Sequence, residues 1–505
     1  MIFDNLEAAL LKRAAQTEEE HKAKDREYQQ KKRDAERNGI ILNPHQLRVH
    51  DKLRKSPGLL VYHGLGSGKT ITSITAADAL GLDAEAVVPA ALRSNYAKEL
   101  AKVKPLQKFH VKSYEGFAKN PTPHGKLLVF DEVQRLQDPS SQRTLAAAEH
   151  GPKASKRLGL SGTPIQNHPA EMASLFNVLA GKRVLPGHDD FTRKFIKEET
   201  VHPGFINRYF RGIEPGIKQS INNKADLAGH IRGLVDYHPS AAEGFPSTST
   251  SVVETPMSNV QEDVYNHVTQ GNRSFWNKVE RNLPPSKRES KNLNAFLSGA
   301  RQASNTPAPF RRDATAESSF DSSPKMQRVV SDIEHGVKTV PNFKSVVYSN
   351  YLGAGVHPVA KALAARGISA HVFTGGMSDK ARKGIVEDFN SGKVKTLLIS
   401  GAGAEGLDLK GTRMVQVMEP HWNESRIKQV VGRAVRYKSH EHLPSDQRNV
   451  DVRHYHATRK PGFMARLFGG KPKTSADQYI GGLAKKKQEL IDQFLDVMKT
   501  EGSRP

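Results

Sequence analysis

Eight residues, His63-Gly64-Leu65-Gly66-Ser67-Gly68-Lys69-Thr70, separate an apolar run from a helical pattern. The run Leu59-Leu60-Val61-Tyr62 reads as a buried strand, and Thr70 to Leu80 as a helix. A glycine-rich turn in that setting constrains the chain to a parallel α/β sheet, where strand ends and helix starts gather at one edge. Gly64, Leu65, Gly66, Ser67 and Gly68 can turn their backbone N–H groups towards phosphate. Lys69 can reach the outer phosphates of a nucleotide, and the Thr70 hydroxyl can ligate Mg²⁺. The strict motif has glycine where this chain has His63.

A phosphate cradle needs a carboxylate partner. Asp131-Glu132 directly follows the apolar run Leu127-Leu128-Val129-Phe130, which sets both acids at the carboxyl end of a strand. Asp131 is the candidate holder of Mg²⁺ with Thr70, and Glu132 the candidate base for an attacking water. The third requirement is positive charge at the terminal phosphate. Gln429-Val430-Val431-Gly432-Arg433-Ala434-Val435-Arg436 offers it. On one helix, positions 429, 432, 433 and 436 share a face, which aims an amide and two guanidiniums one way.

Other short apolar runs alternate with helical patterns. Ala86-Val87-Val88 and Leu158-Gly159-Leu160 join the first set; Ser345–Tyr348, Thr396–Ile399 and Met414–Val417 make a second. The expectation is two doubly wound parallel-sheet lobes, at 38–237 and 341–460. Residues 238–340, polar, basic and poor in strand signals, read as a partly helical insertion. Residues 461–505 read as a basic, glycine-punctuated linker and a C-terminal helix, with Leu483, Leu490, Ile491, Phe494, Leu495 and Met498 mostly on one face. Residues 1–37 form a charged arm whose nine acids balance nine bases, read as a solvated helix.

With no cysteine, disulfides, thiolate zinc sites and iron–sulfur clusters are excluded. The formal net charge of +23 points to a polyanionic partner, nucleic acid first. No apolar run approaches the roughly 20 residues of a membrane span, and no secretory leader is read at Met1, so the expectation is a cytoplasmic protein with no membrane partner.

The motifs occur in the order and approximate spacing of superfamily II helicases. Gln46, in Asn43-Pro44-His45-Gln46, is similar to the upstream glutamine that reads adenine. Val87 to Leu92 resembles the segment that touches the nucleic-acid backbone, which implicates Pro89 and Ala90. Tyr114 resembles the next backbone-facing position. Ser161-Gly162-Thr163-Pro164-Ile165-Gln166-Asn167 is similar to the coupling motif of the Swi/Snf-type branch. Val347-Tyr348-Ser349 and the run from Ser400 and Gly401 to Asp408 and Leu409 match later motifs, and the Gln429–Arg436 segment matches the last.

The resemblance implies RecA-like lobes, ATP with Mg²⁺, and a monomeric motor on DNA, with duplex favoured and RNA left open. It implies nucleic-acid contacts at Pro89, Ala90, Tyr114, Ser349, Ser400 and Gly401, and a nucleotide contact at Asp408. Catalytic roles fall to Gln429 and to Arg433 and Arg436 as arginine fingers. The chain looks closest to helicases and nucleoside triphosphatases of large DNA viruses and phages, which sets it in host cytoplasm beside replication or transcription proteins. One position departs from the branch: Gln134 stands where histidine is usual, and it is expected to hydrogen-bond across the cleft, coupling the lobes with Ser161, Gly162 and Thr163. Trp276 and Trp422 could stack on bases, but core packing is the commoner role for each.

Overall fold

A strand covered on both faces is apolar at every position, and the runs read from the sequence become central strands for that reason. The computed structural model describes residues 40–202, 216–239, 244–312, 315–401, 407–421, 424–461, 467–469 and 472–504. It divides into two units. The first holds residues up to Phe195, Asn223–Ser240 and Gln493–Pro505; the second holds Ile196–Asn222 and Ala241–Asp492.

The sheet of the first unit contains β1 (Gly58–His63), β2 (Ala84–Val88), β3 (Phe109–Ser113), β4 (Leu127–Asp131), β5 (Lys156–Ser161) and β8 (Val235–His238). Its order is β3-β2-β4-β5-β1-β8, with every pairing parallel. β5 therefore separates the strand that precedes the glycine-rich loop from the strand that ends in Asp131. One core cluster under this sheet joins Val49 and Leu53 of the helix Pro44–Lys55 to Val61, Ile74, Val129 and Leu160.

In the second unit, β9 (Ser247–Pro256), β10 (Ser345–Ser349), β11 (Ala370–Phe373), β12 (Thr396–Ser400), β13 (Met414–Val417) and β14 (Asn449–Thr458) form a second parallel sheet. Its order is β11-β12-β10-β13-β14-β9. A small antiparallel pair, β6 (Ile196–Val201) with β7 (Gly216–Ile221), stands apart from it. Two parallel α/β sheets and a C-terminal helix are the fold the sequence implied.

The segment 238–340 differs from expectation in one respect. Its residues Ser247–Pro256 pair with β14 along ten positions, from Ser247 opposite Asn449 to Pro256 opposite Thr458. STSTSVVETP carries no apolar run, because this edge strand is exposed along most of its length; its serines, threonines and valines suit a half-solvated strand. The rest of the segment is mainly helical, including Lys287–Asn305 and Pro324–Thr339. Trp276 lies in a core cluster with Tyr265, Phe275 and Tyr479, so it packs rather than stacks on a ligand. Trp422 and the arm 1–37 fall outside the described residues. The last helix runs Ala476–Gly502, and from Gln493 its residues belong to the first unit. Among the described residues no helix is long and apolar enough to cross a membrane.

Candidate nucleotide site

The glycine-rich loop leaves β1 and enters a helix at Lys69–Leu80. Gly66 and Gly68 have φ of 72° and 73°, a left-handed backbone that a Cβ opposes. At Gly68 a Cβ would also stand 2.7 Å from Gln46 Nε2. Lys69 Nζ donates to two carbonyls of the loop itself, His63 O at 3.0 Å and Gly64 O at 2.8 Å. Burial holds the Lys69 ammonium below its usual range, against the pull of Glu132 and Asp131. Thr70, half-buried, follows it at the start of the helix.

Gln46 is nearly buried, and both ends of its amide are engaged. Its Oε1 accepts the Asn43 N–H at 2.8 Å, and its Nε2 donates to Thr72 Oγ1 at 3.2 Å. The upstream glutamine thus joins the start of its own helix to the helix that follows the loop.

Asp131 ends β4, and burial pushes its carboxyl up to about 7, with the Glu132 charge acting the same way and Lys69 opposing. Glu132 has φ 54° and ψ 53°, a left-handed backbone unusual outside glycine and of the kind held at functional sites. Gln134 Nε2 donates to Glu132 Oε2 at 2.6 Å, and Gln134 Oε1 accepts from Ser161 Oγ at 2.7 Å. Ser161 Oγ in turn accepts the Thr163 N–H at 2.9 Å. Gln134 was expected to bond across the cleft; instead its amide is spent inside the first unit, because the end of β5 brings Ser161 within reach. Gly162 joins the same place, its Cβ position 3.9 Å from Lys69 Nζ. The Gln166 and Asn167 N–H groups are held by the Glu171 carboxylate at 2.9–3.1 Å, which fixes the end of that motif on the next helix.

The residues fit a divalent cation. Among the described residues no group of three His, Cys, Asp or Glu could hold a metal. A cation here would take the Thr70 hydroxyl, the Asp131 carboxylate and oxygens of nucleotide and water, the donor set Mg²⁺ prefers. A carboxyl whose anion is penalised by burial is one that such a cation would stabilise.

In the second unit the expected helix runs Glu424–Ala434, carrying a half-buried Gln429 and Arg433. Arg436 lies beyond it, which corrects the expectation of one shared face. Its N–H is bonded to Ser439 Oγ at 3.2 Å instead of continuing the helix. Arg436 Nη1 stands 3.4 Å from the exposed Asp408 carboxylate. Residues 402–406 fall outside the described residues.

The expected nucleic-acid contacts need correction. Tyr114 is 1% exposed; its hydroxyl donates to the Asp131 carbonyl at 2.8 Å and its ring stacks on Phe130. Ser349 is buried, with its Oγ donating to Glu419 at 3.1 Å. Both side chains brace the interior and present nothing to a backbone phosphate. Pro89 and Ser400 are buried as well, whereas Ala90 is exposed and Gly401 half-buried. Sequence reading missed Asp236, whose buried carboxylate meets His63 and Arg48 beside the loop. A lone acid in the short strand Val235–His238 carries no local signal.

A phosphate loop, an acidic pair on a nearby strand end and a second parallel α/β unit define a two-unit P-loop ATPase of helicase type. Residues 91–308 match the SNF2-related domain and residues 326–438 the helicase conserved C-terminal domain. The chain is 27% identical over 478 residues to a protein assigned as an ATP-dependent RNA helicase in Acanthamoeba polyphaga mimivirus, covering 91% of this chain and 97% of that one. It is 26% identical to a termination factor NPH-I homolog of African swine fever virus, covering 88% of this chain and 75% of that one. Among solved structures, the Sulfolobus solfataricus SWI2/SNF2 ATPase core in complex with dsDNA aligns over 91% of this chain and 97% of that one, at 18% identity and a TM-score of 0.36. The chain carries an SNF2-related domain and a helicase C-terminal domain, and it is an ATP-dependent motor of nucleic acid.

Proposed function

We propose that the chain hydrolyses ATP to track along duplex DNA without separating its strands. The observation that carries this reading is the SNF2-related match over 91–308, which includes the acidic pair and the Ser161–Asn167 motif. The +23 charge supports it, since duplex phosphates are denser than those of a single strand. The contacts are to backbone, through segments near Ala90 and Gly401, so sequence preference is weak.

In this reading the loop N–H groups and Lys69 bind the phosphates of ATP. Thr70 and Asp131 would hold Mg²⁺, which neutralises phosphate charge when bound. Glu132 orients and deprotonates the attacking water, and Gln134 fixes the direction of its carboxylate. Arg433 and Arg436 supply charge to the transition state, with Gln429 and Asp408 beside them. Gln46 would read the adenine. The motor acts as a monomer in host cytoplasm.

A second reading rests on the African swine fever virus relative, named a termination factor. The chain is then the ATPase component of a viral transcription or virion complex, with a mainly binding role to which its turnover is secondary. One experiment tests the proposal: displacement of a triplex-forming strand compared with unwinding of a tailed duplex, both under ATP. Triplex displacement without unwinding is expected; efficient unwinding would overturn duplex tracking.

A further inference from the structure

Asp236, fully buried in the edge strand β8, is gripped from three sides. His63 Nε2 donates to its Oδ1 at 2.6 Å, Arg48 donates twice at 2.6 and 3.0 Å, and Lys52 Nζ stands 3.2 Å away. Burial alone would raise the Asp236 carboxyl, but the His63 and Arg48 hydrogen bonds outweigh it and hold the group below its usual range. Burial likewise keeps the His63 ring below its usual range, against the pull of Asp236.

His63 is where the phosphate loop begins. Arg48 and Lys52 sit on the helix Pro44–Lys55, which touches the middle of the same loop twice. His45 Nε2 donates to Ser67 O at 2.9 Å, and Gln46 Nε2 to Gly68 O at 3.4 Å. The His45 ring also stacks on His238, two residues past Asp236, at 3.8 Å and an interplanar angle of 5°. One carboxylate therefore ties the start of the loop to the helix that grips its middle.

Lys52 carries the link further. Its Nζ donates to Gly502 O at 2.9 Å, at the end of the last helix. Gly502 approaches β8 so closely that a Cβ would stand 2.8 Å from the Tyr237 nitrogen, a distance no side chain tolerates without a shift. Arg232 and Glu501 pair beside it at 3.4 Å.

We propose that Asp236 is a positioning residue for ATP binding, and that the docked end of the last helix at Gly502 is part of the same brace. The proposal rests on the assignment of the phosphate loop given above. Asp236 acts through His63 and through the Arg48–Lys52 face of the helix Pro44–Lys55. Charge-assisted hydrogen bonds in a water-poor setting hold their partners to a narrow geometry.

The test uses the full chain with Asp236→Asn, Gly502→Val, His63→Ala and His63→Gln, measuring KM for ATP, kcat with saturating DNA, and melting temperature. Asp236→Asn should raise KM about tenfold, the loss of one charged hydrogen bond, while kcat stays within about threefold. Gly502→Val should shift KM the same way. His63→Gln, which can still donate to Asp236, should recover most of the affinity that His63→Ala loses. A lowered melting temperature with unchanged KM would overturn the proposal. Should Asp236→Asn fail to fold, the His63 variants decide: a His63→Ala KM equal to that of the parent overturns it. Lys69→Ala run in parallel separates the two claims. If Lys69→Ala hydrolyses ATP at full rate, the loop assignment itself is wrong. If it is inactive and Asp236→Asn keeps its KM, only the positioning role fails.

Discussion

The Gln134 amide nitrogen lies 2.6 Å from Glu132 Oε2, so the carboxylate is held by a residue whose own oxygen is fixed by Ser161. Glu132 already has a left-handed backbone, and the bond to Gln134 sets the direction of its side chain. Gln134→Leu keeps the volume and removes both hydrogen bonds. Steady-state ATPase should show kcat lower by about 10²-fold, as for a base displaced by an ångström, with little change in KM. A kcat equal to the parent's would remove Gln134 from the mechanism.

Lys69→Ala should abolish hydrolysis while leaving the fold intact. The hydrogen bonds its ammonium makes to His63 O and Gly64 O lie within the loop, so losing them disturbs the loop first. Circular dichroism and a turnover assay on the same preparation check both halves. Full activity would sink the assignment.

Arg436→Ala should slow turnover by about 10³-fold or more with ATP affinity nearly unchanged, if Arg436 acts as an arginine finger. Its pairing with Asp408 is solvent-exposed and contributes little to stability, so the fold should not suffer. An affinity loss as large as the rate loss would mean that Arg436 binds the ground state.

Acid should destabilise the second unit through His454. Burial first, and His456 second, lower its pKa to about 4. The folded state then binds fewer protons than the unfolded state between pH 6.5 and about 4, so the stability present above pH 6.5 is lost as pH falls through that window. Denaturant melts at pH 7 and pH 4.5 should show a smaller drop for His454→Gln than for the parent. Equal drops would mean that His454 is solvated in the fold.

What the sequence reveals follows from what burial does to composition. β1, β2, β4, β5, β10, β12 and β13 are buried throughout or nearly so, and their apolar runs announce them. β9 stands at an edge, and its STSTS half looks like a loop. The phosphate loop and Asp131-Glu132 are legible because each is a local pattern. Asp236 is not, since His63 lies 173 residues from it and the pairing of β1 with β8 brings them together. Tyr114 misleads for a related reason: Ser113 caps the helix it opens, and the turn that follows points the ring at Phe130 instead of outwards. Arg436 misleads because the pattern Gln429–Arg436 looks helical to its end, whereas Ser439 captures the backbone after Ala434.

The most direct test of the central claim is the ATPase rate of the full chain with no nucleic acid, single-stranded DNA, duplex DNA and RNA, each at low and high salt. Duplex DNA should stimulate hydrolysis at least as strongly as single strands and more than RNA, and the effect should fall steeply with salt as phosphate contacts release counterions. Stimulation by single strands or RNA alone, with duplex DNA inert, would contradict it.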